Sequence, residues 1–583
     1  MPTLEWIGKD KVVNHHLDVP YRVLERQYSF DENGQHIEDN GSDNMIIHGD
    51  NLEALKSLLP QYEGRVKCVY IDPPYNTGNE GWVYNDNVND PRIRKWLGDV
   101  VGKEGEDLSR HDKWLCMMYP RLKLLQKLLA EDGVIFISID DTEYANLKLI
   151  CDEIFGSNCF VSNISWQRTY STRNDSKGIV NEVEHVIVYS KQPNWQPNKL
   201  PRTAEMNAKY KNPDNDVALW RPDNAYAPGA ATHQGMVYAI QHPFTGEYLY
   251  PSNGRCWTFG QEQMLEIMSG WCEYELRELD DAKQRAAICG VSERDIRQGV
   301  KAIVLAETLE ISSKKAQAVY DKGPWPRFFF SKGGKGGIAR KTYLDNVGGK
   351  LPTNFWPFSE TGHTDEAKKE MLAIFNGRAT FDTPKPCRLL EYVLTIAGDK
   401  ETLILDSFAG SGTTAHAVLN MNKADNGNRR FILVEMMDYA DNITAERVKR
   451  VICGYGSGKN AVAGTGGNFS YYELGEPLMV GDVLNENVSV DKIREYVYFT
   501  DTKRRLPEVH LDEPYYMGIH VNSAYYFYYE KQAVTTLNRE FLHTVKTKAD
   551  AYVIYADLCT LSDAELEKYH ITFKKIPRDI TKL

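Results

Sequence analysis

The sequence predicts an α/β fold built on a largely parallel sheet. Short apolar runs, typical of buried parallel strands, alternate with amphipathic helical segments in residues 44–190 and again in 357–455. Several of these runs end in an acidic residue, and open α/β sheets place their chemistry at the carboxyl ends of their strands. The alternation stops in 191–356, which we expect to be an inserted domain. Residues 1–43 are expected to form an N-terminal arm, and 456–583 a small C-terminal module.

The first predicted strand is the apolar run Met45-Ile46-Ile47-His48, which a turn joins to an amphipathic helix over 52–59. Asp50 lies in that turn. Its carboxylate could cap the helix by accepting hydrogen bonds from backbone N–H groups of the first turn. It could equally contact a nucleoside ligand from the edge of the sheet, and the sequence leaves both interpretations open.

The next predicted strand, Val66–Ile71, ends in Asp72-Pro73-Pro74-Tyr75. The prolines fix φ and lack an N–H, so they end the strand and stiffen the backbone beside the Asp72 carboxylate. A planar exocyclic amine on a base could donate one hydrogen to Asp72 and the other to the Pro73 carbonyl, while Tyr75 stacks on the ring. The alternative interpretation is a strand end followed by a rigid turn without further role.

The pattern of the remaining first half continues the alternation. A polar, Gly- and Asn-rich segment, 76–108, is typical of a functional lid. Beyond it we predict a helix over 113–129, a strand over 134–140, a helix over 143–155, and two strands over 159–166 and 184–190 that form a hairpin at the sheet edge. Further along, a helical pattern covers about 261–321, and the tyrosine-rich run 525–529 is expected to be a core strand.

Two locally basic stretches are candidates for contact with DNA. They are Arg168–Lys177 and Arg327–Lys341, and the second also contains aromatic residues and glycines. Glycine lets backbone amides approach phosphate, and Lys and Arg supply a salt-dependent attraction. The alternative is a solvated flexible loop. The candidate DNA-binding residues are Arg173, Lys177, Arg327, Lys332, Lys335, Arg340 and Lys341.

The second α/β part contains a glycine-rich turn between a strand and a helix. The strand Thr402–Asp406 leads into Ser407–Thr414, and a second strand, Arg430–Glu435, ends in an acid. This order is typical of the nucleoside-binding half of a Rossmann-like sheet, in which the acid accepts hydrogen bonds from ribose hydroxyls. Because no lysine follows Gly412 and no third glycine falls in place, neither a P-loop nor the full dinucleotide fingerprint is present. We therefore expect a nucleoside without phosphates, and S-adenosylmethionine is the candidate cofactor.

Composition excludes several classes of function. The 583 residues contain no apolar run near the ~20 residues that a membrane span needs, and the N-terminus does not resemble a signal peptide. The ten cysteines form no C-x-x-C pair, so we expect no metal site and a reducing cytoplasm. A net charge of −12 argues against a histone-like DNA coat but leaves room for a local basic face.

Asp72-Pro73-Pro74-Tyr75, followed far downstream by Phe408-Ala409-Gly410-Ser411-Gly412, resembles the β-class amino-methyltransferases of DNA. In that family the catalytic motif precedes the cofactor motif. More narrowly, the chain resembles the Mod subunit of type III restriction–modification systems over most of residues 40–450. The stretches that carry this narrower resemblance are His48–Leu52, Glu184–Tyr189, Gly362–Lys369 and Phe381–Pro386.

The resemblance implies a seven-stranded methyltransferase sheet that binds S-adenosylmethionine, with a DNA target-recognition domain between its two parts. It implies transfer to N6 of an adenine flipped out of double-stranded DNA, because Asp before Pro-Pro-Tyr is the form usual for adenine. Mod-type members form homodimers and associate with a Res subunit, a helicase–nuclease that hydrolyses ATP. The expected catalytic residues are Asp72, Pro73, Pro74 and Tyr75. The expected cofactor-binding residues are Asp50, Lys385, Pro386, Asp406, Phe408, Gly410, Gly412, Thr413 and Glu435.

Two other functions remain open from the sequence. One is transfer to N4 of cytosine, and the other is a catalytically idle DNA-recognition subunit of a defence complex. The intact Asp72 and the glycine turn argue against the second. RNA methylation is disfavoured, because no segment resembles a dedicated RNA-binding module.

Overall fold

The chain forms two compact units, Met1–Asn198 together with Pro352–Leu583, and Lys199–Leu351. The second unit falls within the predicted insertion 191–356. The predicted lid, apart from Asn76, lies outside the described residues. The residues that this computed structural model describes are 3–76, 110–170, 179–507 and 513–578.

One large sheet runs through the first unit. Over the described ranges it contains eleven strands, in the spatial order β8-β6-β7-β5-β4-β9-β10-β3-β11-β1-β2 when they are numbered along the chain. They are β1 (Arg22–Asp31), β2 (Gly34–His36), β3 (Met45–His48), β4 (Val66–Ile71), β5 (Leu129–Ile139), β6 (Phe160–Gln167), β7 (Val183–Ser190), β8 (Phe355–Trp356), β9 (Leu403–Asp406), β10 (Arg430–Glu435) and β11 (Phe469–Pro477).

The seven neighbouring strands from β6 to β3 form the predicted α/β core, and this prediction is confirmed. β5, β4, β9, β10 and β3 are parallel, while β7 is antiparallel to both of its neighbours, β5 and β6. The central strands are buried along nearly their whole length, since helices cover both faces. Their burial explains why they appear in the sequence as unbroken apolar runs.

Four further strands widen this core, and they correct three predictions. β8 pairs with β6, so the predicted hairpin of β6 and β7 is not the edge of the sheet. At the other side β11 pairs with β3, and β1 and β2 follow it. β1 comes from the expected N-terminal arm and β11 from the expected C-terminal module, so neither segment is separate from the sheet.

Aromatic pairs hold β1 to β11. Tyr28 stacks on Tyr471 with ring centroids 5.0 Å apart, and Phe30 stacks on Phe469 at 5.8 Å. Such cross-strand pairs each add roughly 0.2–1 kcal/mol to an antiparallel ladder. Ser29, which stands between the two aromatic residues of β1, is buried as well, and its hydroxyl shares a hydrogen bond with the Ser470 hydroxyl at 2.8 Å.

Helices flank the sheet on both faces. Helices α1, α2 and α3 pack into one hydrophobic cluster with one face of the strands. Helix α4 covers the other face, where its Tyr392 packs on Trp356 and Trp356 in turn contacts Phe136. Helix α5 contacts β10. The flanking helices are α1 (Asn51–Tyr62), α2 (Arg110–Leu128), α3 (Tyr144–Phe155), α4 (Cys387–Ala397), α5 (Thr413–Asp425) and α6 (Glu446–Cys453).

The adjacency of β4 and β9 at the centre of the sheet positions the functional site. The two strands pair in parallel, Cys68 with Ile404 and Val69 with Leu405. β4 precedes a helix on one face, α2, and β9 precedes a helix on the other face, α5. Such a switch point opens a crevice beyond the strand ends, where open α/β sheets bind ligands.

The segment after β11 folds on the same unit. It contains the helix Val490–Thr502 and a four-stranded sheet of Tyr516–His520, Ser523–Phe527, Ala551–Ala556 and Ile571–Lys575. Tyr525 and Phe527 belong to one buried cluster and Tyr526 to another, so the expectation of a core strand is confirmed. The shorter elements of this unit are Lys9–Val12, His15–Asp18, Ser157–Cys159, Phe358–Thr361, Thr364–Ile374, Ala440–Ala445, Gly454–Tyr455, Gly458–Asn460, Val462–Ala463, Met479–Val480, Val483–Leu484, Thr536–Leu537, Arg539–Thr544, Leu558–Cys559 and Asp563–Lys568.

The second unit has small sheets around an aromatic core that includes Trp220, Trp257, Trp271 and Phe328. The predicted helical stretch 261–321 is only partly helical, because short apolar strands interrupt it. Its helices are Ala204–Asn207, Gln234–Met236, Gln261–Met268, Ala282–Cys289, Leu309–Lys322 and Leu344–Asn346. Its strands are Trp220–Asn224, Tyr226–Pro228, Ile240–Gln241, Tyr248–Leu249, Arg255–Trp257, Tyr274–Arg277, Ala302–Leu305, Phe328–Phe330 and Ile338–Tyr343. Of the helices described in either unit, none has both the length and the apolar character that crossing a bilayer demands.

Candidate active site

A cavity at the carboxyl ends of β4, β9 and β10 brings the two sequence motifs together. Eight of the predicted residues line it, namely Asp72, Pro74, Lys385, Asp406, Phe408, Gly410, Thr413 and Glu435. The other predicted residues of these motifs, Asp50, Pro73, Tyr75, Pro386 and Gly412, are not among its lining residues. The two motifs, which are far apart in the sequence, therefore line the same cavity.

Asp72 follows β4 directly, and its carboxylate is held from two directions. The Lys385 ammonium donates to Oδ1 and Oδ2 at 2.8 and 2.7 Å, and the Tyr75 hydroxyl donates to Oδ1 at 2.7 Å. Burial raises the pKa of Asp72 above its usual value, although Lys385 and the Tyr75 hydroxyl oppose that shift. Lys385 thus contacts the predicted catalytic acid, whereas the sequence placed it at the edge of the cofactor site.

The proline turn is fixed by a tryptophan. Trp114 of α2 donates its indole N–H to the Pro74 carbonyl at 2.7 Å. Among the described residues, no group donates a hydrogen bond to the Pro73 carbonyl. The Tyr75 ring is buried, and the Lys385 ammonium lies 5.1 Å from its centroid. The structure therefore gives Tyr75 a contact with Asp72 and leaves ring stacking on a base as a prediction.

Glu184 on β7 is a member of this site that residue types and spacing did not identify. Its carboxylate accepts a hydrogen bond from Arg168 at 2.9 Å, and it lies 3.3 Å from the Tyr75 hydroxyl oxygen and 3.4 Å from the Lys385 ammonium. Although burial acts to raise the pKa of Glu184, Lys385 and Arg168 hold it below its usual value. Glu184 lies in one of the stretches that resemble Mod subunits, and an acid inside an apolar strand was the available signal.

The glycine turn after β9 is organised by two buried acids. Asp406 accepts hydrogen bonds from the Phe408 N–H at 3.1 Å and the Thr414 hydroxyl at 2.6 Å. Glu435 accepts one from the Gly410 N–H at 2.8 Å. Burial raises the pKa of Asp406 to about 7 and the pKa of Glu435 to about 8.

Gly410 lets the turn approach the opposite wall of the cavity. Its φ is +52°, and a Cβ at this position would lie 3.2 Å from the Phe381 ring. Phe381 and Tyr439, whose rings meet edge to face, line the cavity too. Phe381 lies in the Phe381–Pro386 stretch of the resemblance, but its residue type alone gave it no role.

The predicted residues outside the lining have structural roles around the cavity. Asp50 caps α1 by accepting the Leu52 N–H at 2.7 Å, which is the first of its two interpretations, and its neighbour Asn51 lines the cavity instead. Gly412, with φ +80°, begins α5, and Pro386 begins α4. A cofactor contact by Asp50 is not supported by this geometry.

Arg121 of α2 is a buried cation that the sequence did not single out. It lines the cavity, donates through Nε to Asn51 at 2.5 Å and lies 3.5 Å from Asp50. The residues around Arg121 in the sequence do not indicate that this arginine is buried.

The predicted DNA-binding residues have different environments. Arg327, Lys332 and Lys335 are exposed, and Arg340 lies 3.7 Å from Asp223. The prediction that Lys341 binds DNA is wrong. Lys341 is buried, and its ammonium forms ion pairs with Asp214 and Asp216, so it cannot reach a phosphate. Arg173 and Lys177 lie outside the described residues.

One group of potential metal ligands, Glu370, Cys387 and His416, lies beside the α4–α5 packing. The guanidinium of Arg447 already occupies the space between them. Its Nη2 is 3.0 Å from Glu370, 3.3 Å from the Cys387 sulfur and 3.1 Å from His416. A buried arginine there makes the group an ion-paired part of the core.

Comparison with known proteins identifies the family. The family model described as DNA methylase (N6_N4_Mtase) matches residues 66–446, which is more than half of the chain. The chain belongs to the DNA methylase family. The match begins at β4 and ends at the start of α6, so it includes Asp72, the glycine turn and the whole second unit.

Type III Mod subunits from two bacteria are similar to about three quarters of the chain. The type III restriction–modification enzyme StyLTI Mod subunit of Salmonella typhimurium (strain LT2) is 32% identical over 77% of this chain and 62% of its own length. The EcoP15I Mod subunit of Escherichia coli is 28% identical over 74% of this chain and 64% of its own length. The chain thus spans a little under two thirds of the length of these relatives.

Among solved structures, the cytosine-N4-specific PvuII DNA methyltransferase matches at a TM-score of 0.31 and 13% identity. The match covers 70% of this chain and 86% of that one. A likeness at this level does not bear on the target base.

Proposed function

We propose that this chain is a DNA methyltransferase that uses S-adenosylmethionine to methylate N6 of adenine in double-stranded DNA. The observation that carries the proposal is the cavity shared by Asp72 after β4 and Gly410 after β9. One wall is a nucleoside cradle with a buried acid, and the other is a carboxylate beside a rigid proline turn. Methyl transfer needs a cofactor site and a base site to meet in this way, because positioning supplies much of the acceleration.

The residues of the glycine turn fit a nucleoside cofactor. Glu435, at the end of β10, is the acceptor for ribose hydroxyls, and Gly410 leaves beside Phe381 the space that a Cβ would fill. Asp406, Phe408 and Thr413 form the remaining wall, while Gly412 and Pro386 position the helices that begin there. S-adenosylmethionine, when bound, supplies an electrophilic methyl group on a positively charged sulfonium.

Asp72 and the Pro73 carbonyl are the acceptors for the two hydrogens of the target amine. The lone pair of such an amine is normally delocalised into the ring, which makes the nitrogen a poor nucleophile. Two acceptors favour a pyramidal nitrogen and build electron density on it. Since the base must enter a closed site at a strand end, we expect it to leave the duplex by flipping.

The choice of adenine over cytosine rests on the residue before Pro73. Asp at position 72 is the form usual for adenine in the β-class resemblance, so N6 is the proposed acceptor and N4 of cytosine is the outcome against which it is tested. We place the target-recognition role in the second unit, where Arg327, Lys332 and Lys335 are exposed for phosphate contact.

The similarity to Mod subunits supports a place in a type III restriction–modification system. We propose that the chain is the modification and recognition subunit, that it forms a homodimer, and that it works in the cytoplasm with a helicase–nuclease Res subunit. Two relatives named as Mod subunits, each similar over about three quarters of this chain, support this assignment.

The test uses S-adenosylmethionine with an isotopically labelled methyl group and unmethylated genomic DNA. After incubation with the protein, the DNA is digested to nucleosides and analysed by mass spectrometry. The proposal expects label in N6-methyldeoxyadenosine. Label in N4-methyldeoxycytidine would show that cytosine, and not adenine, is the target base. If the protein binds DNA and cofactor but transfers no label, a recognition subunit without catalysis would be favoured.

A further inference from the structure

Four charged side chains form a continuous chain into the cavity. Arg168 donates to Glu184 at 2.9 Å, the Lys385 ammonium lies 3.4 Å from Glu184, and the same ammonium donates to Asp72 at 2.7 Å. The side chains of Lys385, Glu184 and Asp72 are only 10%, 8% and 16% exposed. Lys385 therefore lies between two carboxylates, with full hydrogen bonds to one and a longer contact to the other.

We propose that Lys385 is a positioning residue that holds Asp72 ionised and oriented in the resting site, and that it moves to Glu184 when the target amine binds Asp72. The inference rests on the proposed function, because it assigns Asp72 the amine as its second partner. It moves Lys385 from the cofactor site, where the sequence placed it, to the catalytic carboxylate.

The geometry favours the exchange, because an ionised carboxylate offers about four acceptor positions and most of those on Asp72 are already used. Both oxygens of Asp72 already accept hydrogen bonds from Lys385, and Oδ1 also accepts one from the Tyr75 hydroxyl. Asp72 and Lys385 both line the cavity, so the ammonium borders the space that a base bound to Asp72 would occupy. An amine and an ammonium both present hydrogens, so they compete for the same acceptor.

The exchange is short and leaves the charge of the site unchanged. The contact from Lys385 to Glu184, at 3.4 Å, needs to close by roughly 0.5–0.7 Å to reach the usual length of a charge-assisted hydrogen bond. Arg168 keeps Glu184 ionised as a second partner. Two cations and two carboxylates remain before and after the move.

The electrostatics of the site agree with this role. Burial acts to lower the pKa of Lys385, but the carboxylates of Asp72 and Glu184 outweigh it and raise that pKa. Lys385 is consequently the group that remains charged across the range in which a buried Asp72 would take up a proton. The titratable groups that face Asp72 are Lys385, Glu184, Tyr75, Tyr70 and, on β9, Asp406.

The pH profile of methyl transfer separates this role from simple structural support. Activity requires ionised Asp72, so its acidic limb follows the Asp72 pKa. In Lys385→Met the cation is lost, the pKa of Asp72 rises, and the acidic limb moves to higher pH. In Glu184→Gln a like charge is lost, the limb moves to lower pH, and kcat falls because Lys385 has no second anionic partner.

The experiment measures kcat and KM for DNA, the cofactor affinity by calorimetry, and the pH profile of each variant. Removal of one charge-assisted contact predicts a fall in kcat of about 10- to 100-fold for Lys385→Met with unchanged cofactor affinity. Lys385→Arg keeps the cation and is expected to keep the position of the acidic limb. Lys368→Met, which removes an exposed lysine on Thr364–Ile374, is the matched control.

The inference is overturned if Lys385→Met keeps the wild-type profile, or if both charge-removing variants move the limb in the same direction. Loss of cofactor affinity in Lys385→Met would return Lys385 to the cofactor site. If that variant does not fold, the unchanged limb expected for Lys385→Arg and the shift to lower pH expected for Glu184→Gln still decide the matter. Absence of methyl transfer by the wild-type protein would instead contradict the proposed function.

Discussion

The ammonium of Lys385 lies 2.7 Å from a carboxylate oxygen of Asp72, although 313 positions separate the two residues in the chain. Asp72 ends β4 in the first α/β part, and Lys385 precedes α4 in the second. The contact joins the two halves across the inserted second unit. The two sequence motifs therefore form one site.

Cofactor binding is expected to release a proton from Glu435. Burial raises the pKa of Glu435 to about 8, so the carboxyl is mostly protonated in the ligand-free protein near neutral pH. Ribose hydroxyls donate hydrogen bonds best to the ionised form, so binding lowers that pKa and affinity increases as the pH rises towards about 8. Calorimetry in two buffers of different ionisation enthalpy measures the released proton. In Glu435→Gln the proton release should vanish, and its persistence would assign it to another group.

Gly410→Ala is expected to lower the affinity for the cofactor, in addition to lowering the free energy of unfolding. The backbone has φ +52°, and the new methyl group would lie 3.2 Å from the Phe381 ring inside the cavity. Gly458→Ala is the matched control, because Gly458 has φ +58° and an added Cβ there would have no atom within 4 Å. Both variants should lose about 1–2 kcal/mol of unfolding free energy. Equal cofactor affinities for the two variants would contradict the placement of the cradle at Gly410.

Lys341→Met is expected to destabilise the second unit. The ammonium is buried, donates to the Trp325 carbonyl at 2.7 Å, and compensates the charges of Asp214 and Asp216. Removing one partner of a buried ion pair typically costs about 3–5 kcal/mol, since it leaves uncompensated charge. Chemical denaturation of the variant measures the loss, with Lys332→Met, an exposed neighbour, as control. A stability loss below that of the control variant would show that Asp214 and Asp216 do not depend on Lys341.

Lys332 and Lys335 are expected to contribute to DNA affinity by neutralising phosphates. Replacing both with alanine should reduce the slope of log K against log salt concentration by about 1 for each phosphate that is no longer neutralised, whatever the DNA sequence. Lys314→Ala provides the control, because Lys314 is exposed but already paired with Glu310 at 2.8 Å. An unchanged salt dependence in the double variant would place the DNA elsewhere.

The central strands and the principal residues of the cavity could be predicted because their signals are local. Val66–Ile71, Leu403–Asp406 and Arg430–Glu435 are apolar runs bounded by proline, glycine or charge, and burial on both faces makes such runs unmistakable. The glycine turn is recognisable for the same reason, since φ +52° at Gly410 restricts the residue type.

Long-range relationships could not be predicted. β1 alternates polar and aromatic residues, and only its partner β11 shows that it belongs to the sheet. The charge chain depends on the pairing of β7 with β5, which pairs in turn with β4, and spacing along the chain does not reveal that Glu184 lies beside Lys385. The burial of Lys341 could not be predicted either, because it depends on two acids that lie over 120 positions away in the sequence.

Methyl transfer by Asp72→Asn reports whether the Asp72 carboxylate takes part in the reaction. Asparagine keeps the size of the side chain and one acceptor oxygen but removes the negative charge, so the target amine loses a charge-assisted hydrogen bond at the moment of reaction. With saturating cofactor and DNA, we predict a fall in kcat of at least about 100-fold, judged by the loss of one preorganised hydrogen-bonding group, with cofactor affinity retained. Turnover of Asp72→Asn near the wild-type rate would contradict the account, because Asp72 would then have no part in the chemistry.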